Sequence, residues 1–107
     1  MQSLKDKSIY SKAKIFKALG DPVRLEIIEF LRDGEKCVCD IVVHVGIIQP
    51  LVSRHLSILK SCGIVSDQKR GNRRLYKITD PRIFMTIDAI TPELIDILLK
   101  RVIEQLV

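Results

Sequence analysis

Along the first half of the chain apolar residues recur at the three- and four-residue spacing of helices, and past the middle they switch to the shorter spacing of strands. Ile9, Ala13, Phe16 and Leu19 lay one stripe along a helix over residues 8–19, and Gly20 follows where helices commonly end. Asp21 and Pro22 then form a start signal, a side-chain acceptor at the N-cap followed by a ring that presets the first helical residue. A second helix is expected from Pro22 to about Arg32, burying Val23, Ile27, Phe30 and Leu31, with Gly34 turning the chain out of it. In a short third helix Val38, Ile41, Val42 and Val45 cluster on one side at about 100° per residue, and Gly46 opens the next turn.

From about Gln49 to Ser61 a fourth helix separates its faces. Leu51, Val52, His55, Leu56, Ile58 and Leu59 share an apolar half, while Gln49, Ser53, Arg54, Ser57, Lys60 and Ser61 line the other. Short hydrogen-bonding and basic side chains on a face with no core role suit base edges and phosphates. The turn from Gly46 to Ile48 has the length expected between the two helices of a helix-turn-helix. Ile64 and Val65, a turn at Arg70-Gly71-Asn72, and Leu75, Tyr76 and Ile78 then predict a two-stranded hairpin. Asp80-Pro81 and Thr91-Pro92 each restart a helix. From Pro92 to Val107, Leu94, Ile95, Ile97, Leu98, Leu99, Val102, Ile103, Leu106 and Val107 cover most of the circumference. A helix apolar on so many sides needs burial on more than one, which in 107 residues implies a homodimer with this helix and the first at its interface.

Charge sharpens this picture. The chain carries 18 Lys and Arg against 13 Asp and Glu. Seven of the bases and one of the acids fall between Gln49 and Lys77, so this segment holds +6 and the rest of the chain −1. Lys69, Arg70, Asn72, Arg73 and Arg74 crowd the hairpin tip, where no core demand explains them. Charge this localised points to a polyanion-binding surface. Trp is absent and aromatics are few, which argues against the stacking platforms of single-strand binders and for duplex DNA. No stretch approaches the roughly 18 uninterrupted apolar residues of a membrane span, and the first thirty residues contain no secretory pattern. A cytoplasmic protein without a membrane partner is expected. Three cysteines fit reduced thiols better than a disulfide framework.

GDPVRLEIIEFL, KCVCDI, QPLVSRHLSILKSCGIV and KRGNRRLYKI, in this order and spacing, resemble the ArsR/SmtB family of winged helix-turn-helix repressors over roughly Phe16 to Pro81. The resemblance implies a mainly α fold with a small β-hairpin, and a homodimeric repressor that leaves its DNA operator when an inducer binds. The length predicts one domain over residues 1–107, with the helices at about 8–19 and 92–107 for dimerisation. Gln49, Leu51, Ser53, Arg54, Ser57 and Lys60 would face DNA from the recognition helix, and Lys69, Arg70, Asn72, Arg73 and Arg74 from the wing. Ile48 stands where the family commonly has a capping Ser before Gln-Pro, and Leu51 where it often has Thr or Ser.

Cys37-Val38-Cys39-Asp40 resembles the inducer motif of thiolate-using members, which hold soft ions such as arsenite, antimonite, lead or cadmium. In a regular helix residues two apart point about 200° apart, so the pair can clasp one ion only where the turn is non-helical or distorts. In one arsenite-responsive arrangement of the family a further Cys stands three residues after the second, and here that position is Val42. Cys62 reads as a small core residue. His44 shares a helical stripe with Cys37 and Asp40, and reads either as packing or as a borderline-metal ligand. Residues 81–107 contain neither His nor Cys, so the family's other common metal site, on the last helix, is not expected. Three readings of the cysteine pair stand: sensing of As(III) or a soft divalent metal, a redox switch, or no inducer role. Beyond these lies a protein-interaction module using the C-terminal helix. No Gly-rich phosphate loop or activated nucleophile suggests an enzyme.

Overall fold

A computed structural model describes residues 4–107, with side chains described from residue 8 onward. Six helices and a three-stranded sheet follow one another: α1 (Leu4–Leu19), α2 (Pro22–Phe30), a single 3-10 turn (Leu31–Asp33), β1 (Lys36–Cys37), α3 (Val38–Val45), α4 (Gln49–Ser61), β2 (Val65–Arg70), β3 (Arg73–Ile78), α5 (Arg82–Asp88) and α6 (Pro92–Gln105). The start signals act as their chemistry dictates. Asp21 Oδ2 accepts the amides of Val23 at 2.9 Å and Arg24 at 3.1 Å. Thr91 Oγ1 accepts the Leu94 amide at 3.2 Å, and Asp80 Oδ1 takes the Arg82 amide at 2.9 Å just ahead of α5.

Ile27, Ile28 and Leu31, with Ile41, Val52, Leu56, Leu59, Ile64, Val65 and Tyr76, make one core that joins α2, α3, α4 and the hairpin. The chain bends by 111° between α3 and α4, within the range of a helix-turn-helix. Gly46 makes that bend at φ 79°, its amide returning to the Val42 carbonyl at 2.9 Å.

Several expectations are corrected. The sheet has three strands, not two, because Lys36 and Cys37 pair antiparallel with Tyr76 and Leu75 and give the order β1-β3-β2. Helix α1 begins at Leu4 instead of residue 8, and α2 tightens into a 3-10 turn before Arg32. Leu51, placed on the apolar half of α4 by the helical wheel, is 44% exposed.

Helix α1 joins the core through Ala18 and Leu19 at its end, with Ile15 packed against it, whereas α6 contributes no buried residue. Ile9, Tyr10 and Phe16 of α1 are exposed, as are all residues of α6. The Cα radius of gyration is 16.6 Å, against about 13 Å for a compact chain of this length. Among the described residues no single helix is long and apolar enough to cross a membrane.

Candidate nucleic-acid interface and thiol site

Helix α4 is held from behind. Arg24 on α2 donates from Nε to the Ala18 carbonyl at 2.6 Å and from Nη2 to the Lys17 carbonyl at 3.3 Å, closing the end of α1. Its Nη1 lies 3.2 Å from His55 Nδ1 on α4. Asp21 stands 3.8 Å from the same ring, so His55 is a structural joint between three helices. The amide of Arg24 holds the Asp21 carboxyl below the usual carboxylate range.

On the opposite side, Gln49 and Ser53 face a cleft of about 350 Å³ closed by Asn72, Arg73, Arg74 and Tyr76 of the wing and by Cys37, Val38 and Cys39 at the start of α3. Five of the expected DNA-reading residues, Gln49, Ser53, Asn72, Arg73 and Arg74, thus share one space with the expected inducer residues Cys37 and Cys39, while Leu51, Arg54, Ser57, Lys60, Lys69 and Arg70 lie outside it. Leu51, Ser53, Arg54, Ser57 and Lys60 of α4 are all exposed, as are Lys69, Arg70, Asn72, Arg73 and Arg74 of the hairpin. Ile48, at the N-cap of α4, makes no side-chain cap bond.

Exposure does not mean that each cation is available. Arg70 Nη1 donates to Glu35 Oε1 at 2.6 Å. Asp67 accepts Lys60 Nζ on Oδ1 at 2.9 Å and Arg74 Nη1 on Oδ2 at 2.6 Å. Arg73 lies 3.8 Å from Asp40. Arg54, Lys69 and Lys77 have no ion-pair partner among the described residues. Sequence reasoning missed Asp67, Glu35 and Arg24. For Asp67 a signal existed: it is the one acid of the basic segment, and it shares strand parity with the apolar Val65.

The difficulty of a Cys pair two residues apart is resolved by the backbone. Cys37 lies outside the helix, as the N-cap of α3 in an extended conformation (φ −80°, ψ 157°), and its Sγ accepts the Asp40 amide at 3.3 Å. This turns its sulfur toward that of Cys39, and the two are joined as a disulfide. Cys37 is 2% exposed and Cys39 is exposed. The two sulfurs and an Asp40 carboxylate oxygen all lie within 4.8 Å of one another. His44 is not among them, since its ring stacks on Phe30 at a centroid distance of 4.0 Å. Its packing reading holds, and the metal trio with Cys37 and Asp40 does not form. Cys62 is a free thiol, partly buried between α1 and the end of α4.

The sequence matches the family described as "Bacterial regulatory protein, arsR family" over residues 21–67. It is 45% identical over 71 residues to a "probable mercury resistance operon repressor" of Streptomyces lividans, covering 66% of this chain and 57% of that protein. The chain therefore spans little more than half the length of that relative. It is 47% identical over 76 residues to an uncharacterized HTH-type transcriptional regulator of Methanocaldococcus jannaschii, covering 69% and 85%. Among solved structures, the homodimeric winged helix-turn-helix DNA-binding domain of a Mycobacterium bovis protein superposes with a TM-score of 0.80 at 28% identity, covering 90% of this chain and 92% of that one.

Proposed function

This chain belongs to the ArsR family of bacterial transcriptional regulators, and from that premise we propose that it works as a homodimeric repressor with a thiol-based inducer site. It is a regulator, not an enzyme. In this reading α4 enters the major groove of a duplex operator, with Gln49, Leu51, Ser53, Arg54 and Ser57 on base edges and nearby phosphates. The wing tip, with Lys69, Asn72 and Arg73, lies on adjacent backbone. Helices α1 and α6 pair with those of a second copy. A DNA operator as partner places the protein in the cytoplasm.

One observation supports the inducer site most: the cleft that holds Gln49 and Ser53 also holds Cys37 and Cys39. Once the disulfide is reduced by two electrons and two protons, the pair offers two soft thiolates, with Asp40 as a nearby oxygen. This donor set fits a thiophilic ion such as As(III) or a soft divalent metal. Cys37 ends β1, pairs with the wing at Leu75 and caps α3. An ion bound to the Cys37 sulfur would compete with the Asp40 amide for the acceptor that caps α3, and α3 packs on α4 through Ile41. Such a ligand shifts the dimer from DNA because its affinities for the two states differ.

A redox reading is favoured by the disulfide itself. There a low-molecular-weight disulfide or a peroxide accepts two electrons from the thiols, and the S–S bond takes the place of the ion.

Fluorescence anisotropy of the reduced protein on labelled duplex from upstream of its own gene separates these readings. Arsenite or cadmium at fixed salt is expected to abolish binding in the wild type and not in Cys37→Ser. Release by oxidant alone would favour the redox reading, and binding that persists through both would remove the cysteines from induction.

A further inference from the structure

Asp67 is the only acid between Gln49 and Lys77, and it is not on the solvent face of the wing. It sits in β2 opposite Tyr76 and diagonal to Arg74, on the same side of the sheet as buried Val65, facing α4. Its side chain is 8% exposed. Both oxygens are engaged, one by Lys60 in the last turn of α4 and the other by Arg74 of β3, while those two cations remain about half exposed at their outer ends. Lys60 first and Arg74 second hold its carboxyl below the usual range, so it is an anion at neutral pH. The arrangement is that of a phosphate bound between helix and wing, except that the anion belongs to the protein.

We propose that Asp67 is a specificity-determining residue that occupies Lys60 and Arg74, withholding two cations from sequence-independent phosphate binding and pinning the wing to the recognition helix. This deepens the DNA-binding reading above and rests on it. The +6 of the segment then overstates its grip on phosphates. Selection falls to side chains with no such partner, Arg54 above all, and to the polar face of α4. It also follows that Lys60 and Arg74, expected from sequence to contact DNA, act on it only through geometry.

Asp67→Asn keeps the shape and removes the charge. Each released cation that reaches a phosphate steepens the slope of log K against log salt by about 0.9. Wild type, Asp67→Asn and Lys60→Gln/Arg74→Gln are compared on an operator duplex and on an unrelated duplex over a salt series, after circular dichroism establishes that each is folded. For Asp67→Asn the expected result is a slope on unrelated DNA steeper by up to about 1.8. Affinity for unrelated DNA should rise roughly tenfold at moderate salt, and the operator preference should fall. For the double Gln variant the expected slope is that of the wild type. A double Gln slope flatter by about 1.8 would overturn the proposal, since both cations would then already sit on phosphates. So would an Asp67→Asn slope unchanged from the wild type.

The salt at which each protein leaves a heparin column gives a second readout that needs no DNA. Later elution of Asp67→Asn supports the clamp even if the wild type ignores duplex DNA at low salt, in which case the DNA-binding reading alone fails. Unchanged elution refutes the clamp.

Discussion

The C-terminal helix offers a sharp test, because nothing among the described residues covers its apolar stripe. The accessible surface is 7932 Å², whereas a compact monomer of 12.2 kDa exposes roughly 6,060 Å². The excess of about 1,900 Å² is more than the roughly 800 Å² that one partner contributes to an interface of standard size. Val102 lies at the centre of the stripe, between Leu98 and Leu106, and is 51% exposed; Ile97 lies among Glu93, Lys100 and Glu104 and is 65% exposed. Fully burying a valine contributes about 1.5 kcal/mol, so the exposed half is worth about 0.8 kcal/mol in each protomer and about 1.5 kcal/mol in a two-fold dimer. Val102→Asp forfeits this, and it also sets two carboxylates into apolar surroundings. Neutralising each at pH 7 costs up to about 4 kcal/mol. The expected result is a dimer dissociation constant raised more than about tenfold, the factor that the lost burial alone supplies, while Ile97→Asp changes it by less than that. Sedimentation velocity across a dilution series measures both. Equal dissociation constants for wild type and Val102→Asp would refute the assignment of this stripe to a second copy.

Two further predictions concern the frame behind the interface. Asp21→Ala removes the acceptor for two amides at the start of α2 and should cost about 1 kcal/mol, roughly 4–8 °C in Tm. Because the folded carboxyl is held below its ordinary value, its contribution is complete above the unfolded value of about 3.9 and fades as pH falls through the lower folded value. Thermal melts should therefore show the Tm gap between wild type and variant at neutral pH shrinking in acid, and a constant gap would refute the cap. At Gly46, φ is 79° and an added Cβ meets nothing within 4 Å, so Gly46→Ala should lose about 1–2 kcal/mol from the left-handed backbone alone, read from urea unfolding. A neutral effect would mean that the α3–α4 turn relaxes to another conformation.

The parts legible from sequence were those encoded by neighbours. Asp21-Pro22 and Thr91-Pro92 announced α2 and α6 because a cap bonds amides only two or three residues away. Val52, Leu56 and Leu59 fell on the buried side of α4 because helical spacing alone puts them on one face. The parts that escaped depend on who stands opposite. Two residues, Lys36 and Cys37, carry no strand signal, and they become a strand only because β3 supplies a partner. Leu51 looks buried on a wheel, yet it is exposed, because no element among the described residues covers that edge of the helix. Cys37 and Cys39 looked divergent under a helical assumption, and they converge because the chain is still extended at Cys37.

What the sequence determined by itself is the order of elements, the caps that start them, the faces that join the core and the basic character of one segment. These follow from interactions a few residues apart, whose geometry the helical and strand periods dictate. Tertiary structure alone decided how that charge is used. Arg70 is matched with Glu35 across 35 positions, and Arg74 and Lys60 are matched with Asp67, while Arg54 is left without a partner among the described residues. A charged side chain is neutralised by whichever opposite charge lies within a few ångströms, and that distance is set by packing the hairpin on α4, not by position along the chain.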